Sequence, residues 1–225
     1  MGEYYIEHQK IYVSVDCIIF GFESNKLKVL IGRRKMEPGL GEWSLYGGFV
    51  RNDESVDDCA TRTLYELTGM RNVYMRQVGA FGSVDRDPGA RVVSVAYYAL
   101  INVKDYDKRL QEEHQVEWVN IDELPSMFSD HREMVLRARR IMQTKVRTQP
   151  VSFQLLPSLF TLTQLQRLYE AINGEEVDKR NFRKRVKEMA FIEKTDLIDK
   201  TSSKRGACLY RFNKNTFTEE KNFKL

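Results

Sequence analysis

The sequence predicts a mixed α/β domain followed by a smaller domain of helices and a terminal two-strand hairpin. Two observations predict this division. Strand-like runs rich in β-branched and aromatic residues alternate with helical patterns up to residue 145, and helical patterns dominate after Pro150. Charge divides the chain at the same place: residues 150–225 carry 15 Lys and Arg against 10 Asp and Glu, whereas residues 1–149 carry 21 against 22. Such asymmetry points to a polyanionic partner for the second part.

Bulk composition excludes several classes of protein. Of the 225 residues, 42% are hydrophobic and 30% are charged, which is typical of a globular protein in water. No apolar run approaches the length needed to cross a membrane, and residues 1–10 are too polar for a secretory signal. Cys17, Cys59 and Cys208 lie far apart without metal-ligand spacing, as expected in a reducing compartment. We therefore expect a cytoplasmic protein without a cofactor.

The first domain is predicted to span residues 1–148. Its helix over Val56–Thr68 has the clearest boundaries, because Ser55 can cap the first turn with Asp58 as its capping-box partner and Gly69 can end the last turn. The other predicted elements are the strands Ile11–Phe22, Lys26–Arg33, Arg91–Val103 and Val116–Asn120 and the basic amphipathic helix Arg132–Thr144. This order of strands and helices is typical of an α/β fold.

The second domain is predicted to span residues 149–225, after a linker at which Pro150 discourages helix continuation. Its predicted elements are the helical stretches Ser152–Leu156, Leu162–Asn173 and Lys179–Met189 and the strands Ile192–Ile198 and Ala207–Phe212. Leu165, Leu168 and Ile172 recur at helical core spacing, and Thr163 can serve as a cap or as a phosphate contact. We interpret Leu162–Asn173 as a supporting helix.

Seven residues of the first domain match a long motif. They fall on the box G-x5-E-x7-R-E-U-x-E-E-x-G-U of the Nudix family, where U is aliphatic, and are Gly48, Glu54, Arg62, Leu64, Glu66, Gly69 and Met70. The flanking segments Trp43–Gly48 and Trp118–Pro125 also resemble that family, although Tyr46 replaces its proline. The resemblance covers about residues 8–145 and implies an α+β, Nudix-like sandwich of α/β/α layers.

The sequence departs from the box where the family's hydrolases bind Mg²⁺. Thr63 and Leu67 replace two of the three carboxylates that the motif places on the helix and leave Glu66 as the remaining one. Threonine is a weak, neutral ligand and leucine cannot bind a hard cation, so we predict no metal, no catalytic residue and no hydrolysis. Two alternatives stay open. Glu66 can pair with Arg62 at i,i+4 spacing, and the chain can be a Nudix hydrolase acting on ADP-ribose or a related nucleoside diphosphate.

The segment Phe81–Tyr98, which contains Arg86-Asp87-Pro88, resembles a stretch of Nudix-related transcriptional regulators, in which a winged helix follows the Nudix-like domain. The whole chain most resembles their L-arabinose-responsive members. The resemblance implies a pocket for a small effector. Members of that family respond to ADP-ribose or to catabolic sugars. A pentose is expected here, L-arabinose in particular because of the whole-chain resemblance, and a diphosphate is disfavoured because it usually needs the metal whose ligands are missing. The predicted ligand-binding residues are Arg33, Arg34, Trp43, Tyr46, Glu66, Phe81, Asp85, Arg86 and Asp87. Purely structural roles, such as a core position for Phe81, remain open.

The stretch Lys179–Met189 has two faces. Phe182, Val186 and Met189 recur at i, i+4 and i+7 and form an apolar stripe, with cations on the opposite side. Such a helix followed by a hairpin is typical of a winged helix-turn-helix domain, whose recognition helix enters the major groove. The predicted DNA-binding residues are Thr163, Lys179, Arg180, Asn181, Arg183, Lys184, Lys187, Lys204 and Arg205. A solvated basic helix and an RNA-binding module are the alternatives.

These features together predict a DNA-binding regulator with a carbohydrate-sensing domain. We expect a repressor of sugar catabolism that binds double-stranded operator DNA and leaves it when the pentose binds. A homodimer is expected as well, because symmetric dimers usually read DNA half-sites.

Overall fold

The computed structural model describes residues 8–106, 108–146, 149–201 and 206–216. Within these ranges the first domain is a β-sheet with helices on both faces, and the second combines helices with a small sheet. The predicted α/β/α sandwich followed by a winged helix is therefore confirmed. None of the helices in these ranges has the length and apolarity to cross a membrane.

The first domain is built around one sheet. Its strands are β1 (Tyr12–Glu23), β2 (Lys26–Arg33), β3 (Trp43–Ser44), β4 (Tyr46–Phe49), β5 (Tyr74–Phe81), β6 (Val92–Leu100) and β7 (Val116–Asn120). Its α-helices are α1 (Val56–Thr68), α2 (Lys108–His114) and α3 (His131–Val146). The main path of the sheet runs β3-β2-β1-β6-β5, while β4 pairs with β1 and β7 pairs with β2. The β1–β6 pair is parallel and the other pairs are antiparallel.

Strand β1 divides the core between the two helix layers. Its side chains alternate across the sheet: Ile18 and Phe20 belong to the core on the α3 side, and Cys17 and Ile19 to the core beneath α1. All four are buried. A continuous apolar run with both faces covered is what a central strand requires.

The second domain has a short 3-10 helix over Pro150–Leu155, where a helical stretch is predicted. Its other elements are β8 (Phe160–Thr161), α4 (Leu162–Asn173), α5 (Lys179–Lys187), β9 (Ile192–Asp199) and β10 (Ala207–Phe212). The strands form an antiparallel sheet in the order β8-β10-β9. One apolar core runs without interruption from the α3 side of the first domain into the second, so the two domains pack directly on each other.

Several predicted boundaries match the structure closely. Helix α1 has the expected capping box at Ser55 and the left-handed Gly69, and β2, α4 and β10 have the predicted bounds. Among the strands and α-helices of the structure, β3, β4, β5, α2 and β8 were not predicted. The reasons are physical: β3, β4 and β8 have only two to four residues, β5 contains an irregularity between Gln77 and Gly79, and α2 is a polar helix of two turns. Thr163 is not the cap of α4, because Thr161 accepts the bond from the Gln164 amide.

Candidate ligand cleft and nucleic-acid interface

A cleft of about 370 Å³ opens between the ends of β1, β2 and β4 and the first turn of α3. The loop between β5 and β6 and the end of α2 complete its wall. Among its lining residues are Ser14, Asp16, Arg33, Arg34, Lys35, Tyr46, Phe49, Arg86, Asp87, His114, Phe128 and His131. Its volume lies within the range of small-molecule sites. The cleft is thus the first candidate for ligand binding in this domain.

The floor of the cleft is a buried polar network. Asp16 accepts a hydrogen bond from Ser94 Oγ at 2.5 Å and lies 3.7 Å from Nη2 of Arg86. Arg86 in turn makes a bidentate pair with Asp130, at 3.0 Å from Nε and 2.8 Å from Nη2. Gly47 lets β4 approach this network, since a Cβ atom there would lie 2.5 Å from Asp16 Oδ1. Burial makes these charge-assisted bonds strong.

His131 joins the network as a neutral imidazole. Its Nδ1 atom accepts a hydrogen bond from the amide of Leu45 at 3.1 Å, so the proton is on Nε2. Burial lowers the pKa of His131, against the opposing effect of Asp16. Nε2 lies 3.6 Å from Asp16 Oδ1, which is too long for a direct hydrogen bond. A donor and an acceptor therefore stand side by side, an arrangement that suits a ligand hydroxyl.

Three consecutive cations lie at the mouth of the cleft. The guanidinium of Arg33 lies 3.7 Å over the ring of Trp43, and that of Arg34 lies 4.0 Å over Phe128. Each also donates to a carbonyl oxygen, as does Lys35 to Glu113 at 3.3 Å. Within the described ranges, none of the three pairs with a carboxylate. Backbone carbonyl groups and aromatic rings thus hold these side chains in place. Among the described residues, no carboxylate pairs with them to neutralise their positive charge at the mouth of the cleft.

The predicted ligand residues divide into two groups. Arg33, Arg34, Tyr46, Arg86 and Asp87 line the cleft. The others lie outside its lining and are Trp43, Glu66, Phe81 and Asp85.

Each residue outside the lining has a structural surrounding of its own. Trp43 supports Arg33 from beneath, and Phe81 is a buried core residue near the guanidinium of Arg137. Glu66 is largely exposed and lies 3.3 Å from Arg62 Nη1, the i,i+4 pair left open above. Asp85 is exposed on the loop. The structural interpretation of Phe81 therefore fits its burial.

Sequence reasoning misses Asp16, Lys35, His114, Phe128 and His131. Asp16 left a signal, because it is a carboxylate inside an apolar strand pattern and such a group is rarely buried without a partner. His114 lies edge-on to Tyr46, with ring centroids 5.5 Å apart, and gives the cleft an aromatic wall. The chain separation between these residues left no local pattern that could have brought them together.

The motif residues of α1 are paired with each other or buried in the core. Arg62 makes two short bonds to Glu54, 2.6 and 2.9 Å long, and this hydrogen bonding lowers the pKa of Glu54 to about 2. Leu67 is 1% exposed and packs in the core beneath α1, and Thr63 is equally buried. Among the described residues, no group of three His, Cys, Asp or Glu side chains is arranged to hold a metal ion.

Helix α5 presents a basic outer face. Asp178 caps it by accepting from the amide of Asn181 at 2.8 Å, while Phe182 and Val186 are buried beneath it. The side chains on its outer surface form a shallow groove lined by Asp178, Lys179, Arg180, Arg183, Lys184 and Lys187. Arg183 is half-buried and lies 3.4 Å from the hydroxyl of Thr163, which brings two predicted DNA contacts together. Two of the remaining predicted contacts, Lys204 and Arg205, lie outside the described residues.

Comparisons with known proteins agree with this architecture. Residues 10–138 match the model of the NUDIX domain, and residues 152–212 match that of the NrtR DNA-binding winged helix domain. Over 204 residues the chain is 37% identical to the ADPR responsive transcriptional repressor NtrR of Acinetobacter baylyi, which covers 89% of this chain and 81% of that protein.

Two solved structures extend the comparison. The crystal structure of Shewanella oneidensis NrtR complexed with a 27mer DNA has a TM-score of 0.80 and 30% identity, covering 91% of this chain and 94% of that one. The NUDIX domain of that NrtR, complexed with ADP ribose, has a TM-score of 0.50 and 27% identity, covering 63% and 99%. Both parts of this chain therefore have a counterpart in one protein.

The expected pentose effector is not supported, and neither are L-arabinose or a role in sugar catabolism. The repressor of Acinetobacter baylyi is described as ADPR responsive, and the solved NUDIX domain of Shewanella oneidensis NrtR is complexed with ADP ribose. The expectation assumed that a diphosphate needs metal ions for charge neutralisation. That assumption is unnecessary here, because the protein itself provides positive charge at the cleft mouth through Arg33, Arg34 and Lys35.

Proposed function

This chain belongs to the family of NrtR-like transcriptional regulators, in which a Nudix domain precedes a DNA-binding winged helix, and we propose that it is an ADP-ribose-responsive repressor. ADP-ribose binds in the cleft of the Nudix domain and lowers the affinity of the winged helix for operator DNA. The chain is a sensor and does not hydrolyse its ligand.

The observation that carries the choice of ligand is the uncompensated charge of Arg33, Arg34 and Lys35. A diphosphate brings two negative charges into the cleft, and arginine is well suited to bind phosphate oxygens through two N–H groups. The two guanidiniums are already held in place by Trp43 and Phe128, so little side-chain entropy is lost on binding. A neutral pentose would leave this charge unused.

The floor of the cleft complements the mouth. Asp16 and the Nε2–H of His131 offer an acceptor and a donor 3.6 Å apart, which suits a ribose hydroxyl. The aromatic pair of Tyr46 and His114 gives a surface against which a purine can pack. Phosphate, hydroxyl and purine contacts are thus available in one cleft, as a nucleoside diphosphate sugar requires.

Loss of hydrolysis is inferred from the box helix. Mg²⁺ needs several hard, anionic oxygen ligands. At the corresponding positions this chain has Leu67, which is packed in the core, and Thr63, which is buried. Glu54 is held by Arg62, leaving Glu66 as the exposed acid of the motif. Without a metal, neither the diphosphate nor the attacking water is activated.

We further infer that the regulator acts as a homodimer in the cytoplasm. A single α5 reads a few base pairs, and a two-fold dimer doubles the site and makes the operator a palindrome. The molar mass in solution, measured by light scattering with and without operator DNA, tests this inference, and a strict monomer on DNA would contradict it.

One experiment tests the function. A duplex is selected from random DNA by the purified full chain, and its Kd is measured with and without ADP-ribose, with L-arabinose as the control sugar. We expect ADP-ribose to bind without Mg²⁺ and to weaken the DNA complex, and arabinose to do neither. A DNA affinity unchanged by ADP-ribose overturns the sensor proposal. Release of AMP from ADP-ribose in the presence of Mg²⁺ overturns the claim of inactivity.

A further inference from the structure

Helix α3 spans the distance between the candidate cleft and the DNA-binding domain. Its first residue, His131, lies in the cleft wall, and its last, Val146, contacts the second domain. Sixteen residues at 1.5 Å each make it about 24 Å long. One inner face of the helix is buried, with Met134, Ala138 and Met142 at 0% exposure. A packed helix of this kind moves as a rigid body.

Two hydrogen bonds join the far end of α3 to α4. The hydroxyl of Tyr169 donates to the carbonyl oxygen of Val146 at 2.5 Å, where the last carbonyls of a helix have no partner within it. One turn earlier, Gln143 Nε2 donates to the carbonyl oxygen of Ile172 at 2.8 Å. Both bonds cross between the domains and link the C-terminal end of α3 directly to α4.

Tyr169 also contacts α5. Its ring centroid lies 5.9 Å from that of Phe182, and both side chains are buried. Phe182 is on the buried inner face of the basic helix, whereas the nearby Arg180 and Arg183 line the groove on the outer face. A single side chain therefore touches the end of α3 through its hydroxyl and the basic helix through its ring.

The packing around Tyr169 leaves room for movement. A groove of about 400 Å³, open to solvent on one side, lies between α4 and α5 and is lined in part by Tyr169, Asn173, Val177, Phe182 and Arg185. Protein interiors are close-packed, and small shifts usually convert one packed arrangement into another. The space next to the contact leaves room for α5 to shift relative to α4.

We propose that Tyr169 is the positioning residue through which the cleft sets the orientation of the basic helix α5. A ligand that displaces His131 moves α3, α3 pulls or releases the Tyr169 hydroxyl, and the Tyr169 ring turns Phe182. The choice of ADP-ribose as ligand rests on the proposed function, whereas the connection between His131 and α5 does not. Coupling through such a connection acts equally in both directions.

The Tyr169→Phe variant tests the proposal, because it removes the hydroxyl and keeps the ring. We expect ADP-ribose affinity and ligand-free DNA affinity within about threefold of wild type, and a loss of about tenfold in the factor by which ADP-ribose weakens DNA binding. Tyr210→Phe, on β10 of the same domain, is the matched control and keeps the full factor. A factor unchanged in Tyr169→Phe overturns the proposal, and thermal melting confirms that the variant is folded.

A double-mutant cycle separates this proposal from the choice of ligand. His131→Asn changes the cleft end of α3, and DNA Kd is measured without ligand for the wild type, both single variants and the double variant. We expect the effect of His131→Asn on DNA affinity to shrink at least threefold in the Tyr169→Phe background. Additive effects overturn the connection. If wild-type DNA binding ignores ADP-ribose while the cycle is non-additive, the ligand is wrong and the connection stands.

Discussion

The Nδ1 atom of His131 accepts a hydrogen bond from the backbone amide of Leu45 at 3.1 Å, which ties the first turn of α3 to the loop between β3 and β4. Only an unprotonated Nδ1 can accept, so this bond fixes both the charge and the tautomer of the imidazole. It also aims Nε2–H at Asp16 on the cleft floor. The protonation state of His131 therefore affects the contacts that join α3 to the loop between β3 and β4 and to Asp16 in the cleft.

Stability should fall in mildly acidic solution because of this histidine. Burial lowers the pKa of His131 below the unfolded value of about 6.5, so between these two pKa values the unfolded chain binds a proton that the native chain does not. The contribution to the free energy of unfolding is complete above pH 6.5 and is lost as the pH falls toward the lowered pKa, by up to about 1.4 kcal/mol per pH unit. We expect melting temperatures measured from pH 7.5 to 5.5 to decrease.

The variant His131→Asn is the control for this pH dependence. Asparagine offers an oxygen near the position of Nδ1 and does not titrate. The melting temperature of the variant should be lower than that of the wild type at pH 7.5. It should also change less than that of the wild type between pH 7.5 and 5.5. An equal slope in both proteins would show that another group causes the loss.

Charge at the cleft mouth should control ligand affinity. Within the described part of the chain, Lys35 pairs with no carboxylate and donates to the carbonyl oxygen of Glu113 at 3.3 Å, so Lys35→Gln should affect folding little. A charge-assisted bond to phosphate contributes about 1.5–3 kcal/mol, which corresponds to a loss of at least about tenfold in ADP-ribose affinity by calorimetry. Lys26→Gln, at the start of β2 and paired with Glu123, is the matched control and leaves affinity unchanged. A similar loss in both variants would indicate a general effect of net charge.

Restoring a motif acid should unfold the helix layer rather than create a metal site. Leu67 is 1% exposed among Cys17, Ile19 and Leu30, and a carboxylate there would be desolvated. Burying a polar or charged group without a partner costs about 3 kcal/mol or more. We expect Leu67→Glu to lower the melting temperature strongly, with Leu67→Met as the conservative control. A stable Leu67→Glu protein that binds Mg²⁺ would contradict this view of the helix.

Local patterns predicted the fold well where boundaries depend on neighbouring residues. The capping box of Ser55 and Asp58 and the left-handed Gly69 are contained in one short segment, and so are the two faces of α5. Strand β5 could not be found in this way, because the pairing that makes it a strand comes from β6. Its interruption near Gly79 also hides the alternation that would have marked it.

The cleft was predicted only in part, because its residues meet by topology. Tyr46, Arg86 and Asp87 came from segments with a family resemblance, and Arg33 and Arg34 were chosen for their guanidinium groups. Asp16, His114 and His131 come from β1, α2 and α3. Nothing in the sequence near position 16 indicates a histidine 115 positions away. The pentose was expected from the resemblance to arabinose-responsive members and from the missing metal ligands. The grouping of Arg33, Arg34 and Lys35 around one opening depends on the fold and was not visible in the sequence.

The outer face of α5 should carry DNA binding, with different roles for two of its arginines. Arg180 is exposed, so Arg180→Ala should weaken binding and reduce the dependence of log Kd on log salt by about one charge. Arg183 is half-buried and lies 3.4 Å from the Thr163 hydroxyl, so Arg183→Ala also loosens the contact between α4 and α5 and should weaken binding more. Lys194→Ala, an exposed cation on β9, is the matched control. Equal affinities for all three variants would place the DNA-binding surface elsewhere on the domain.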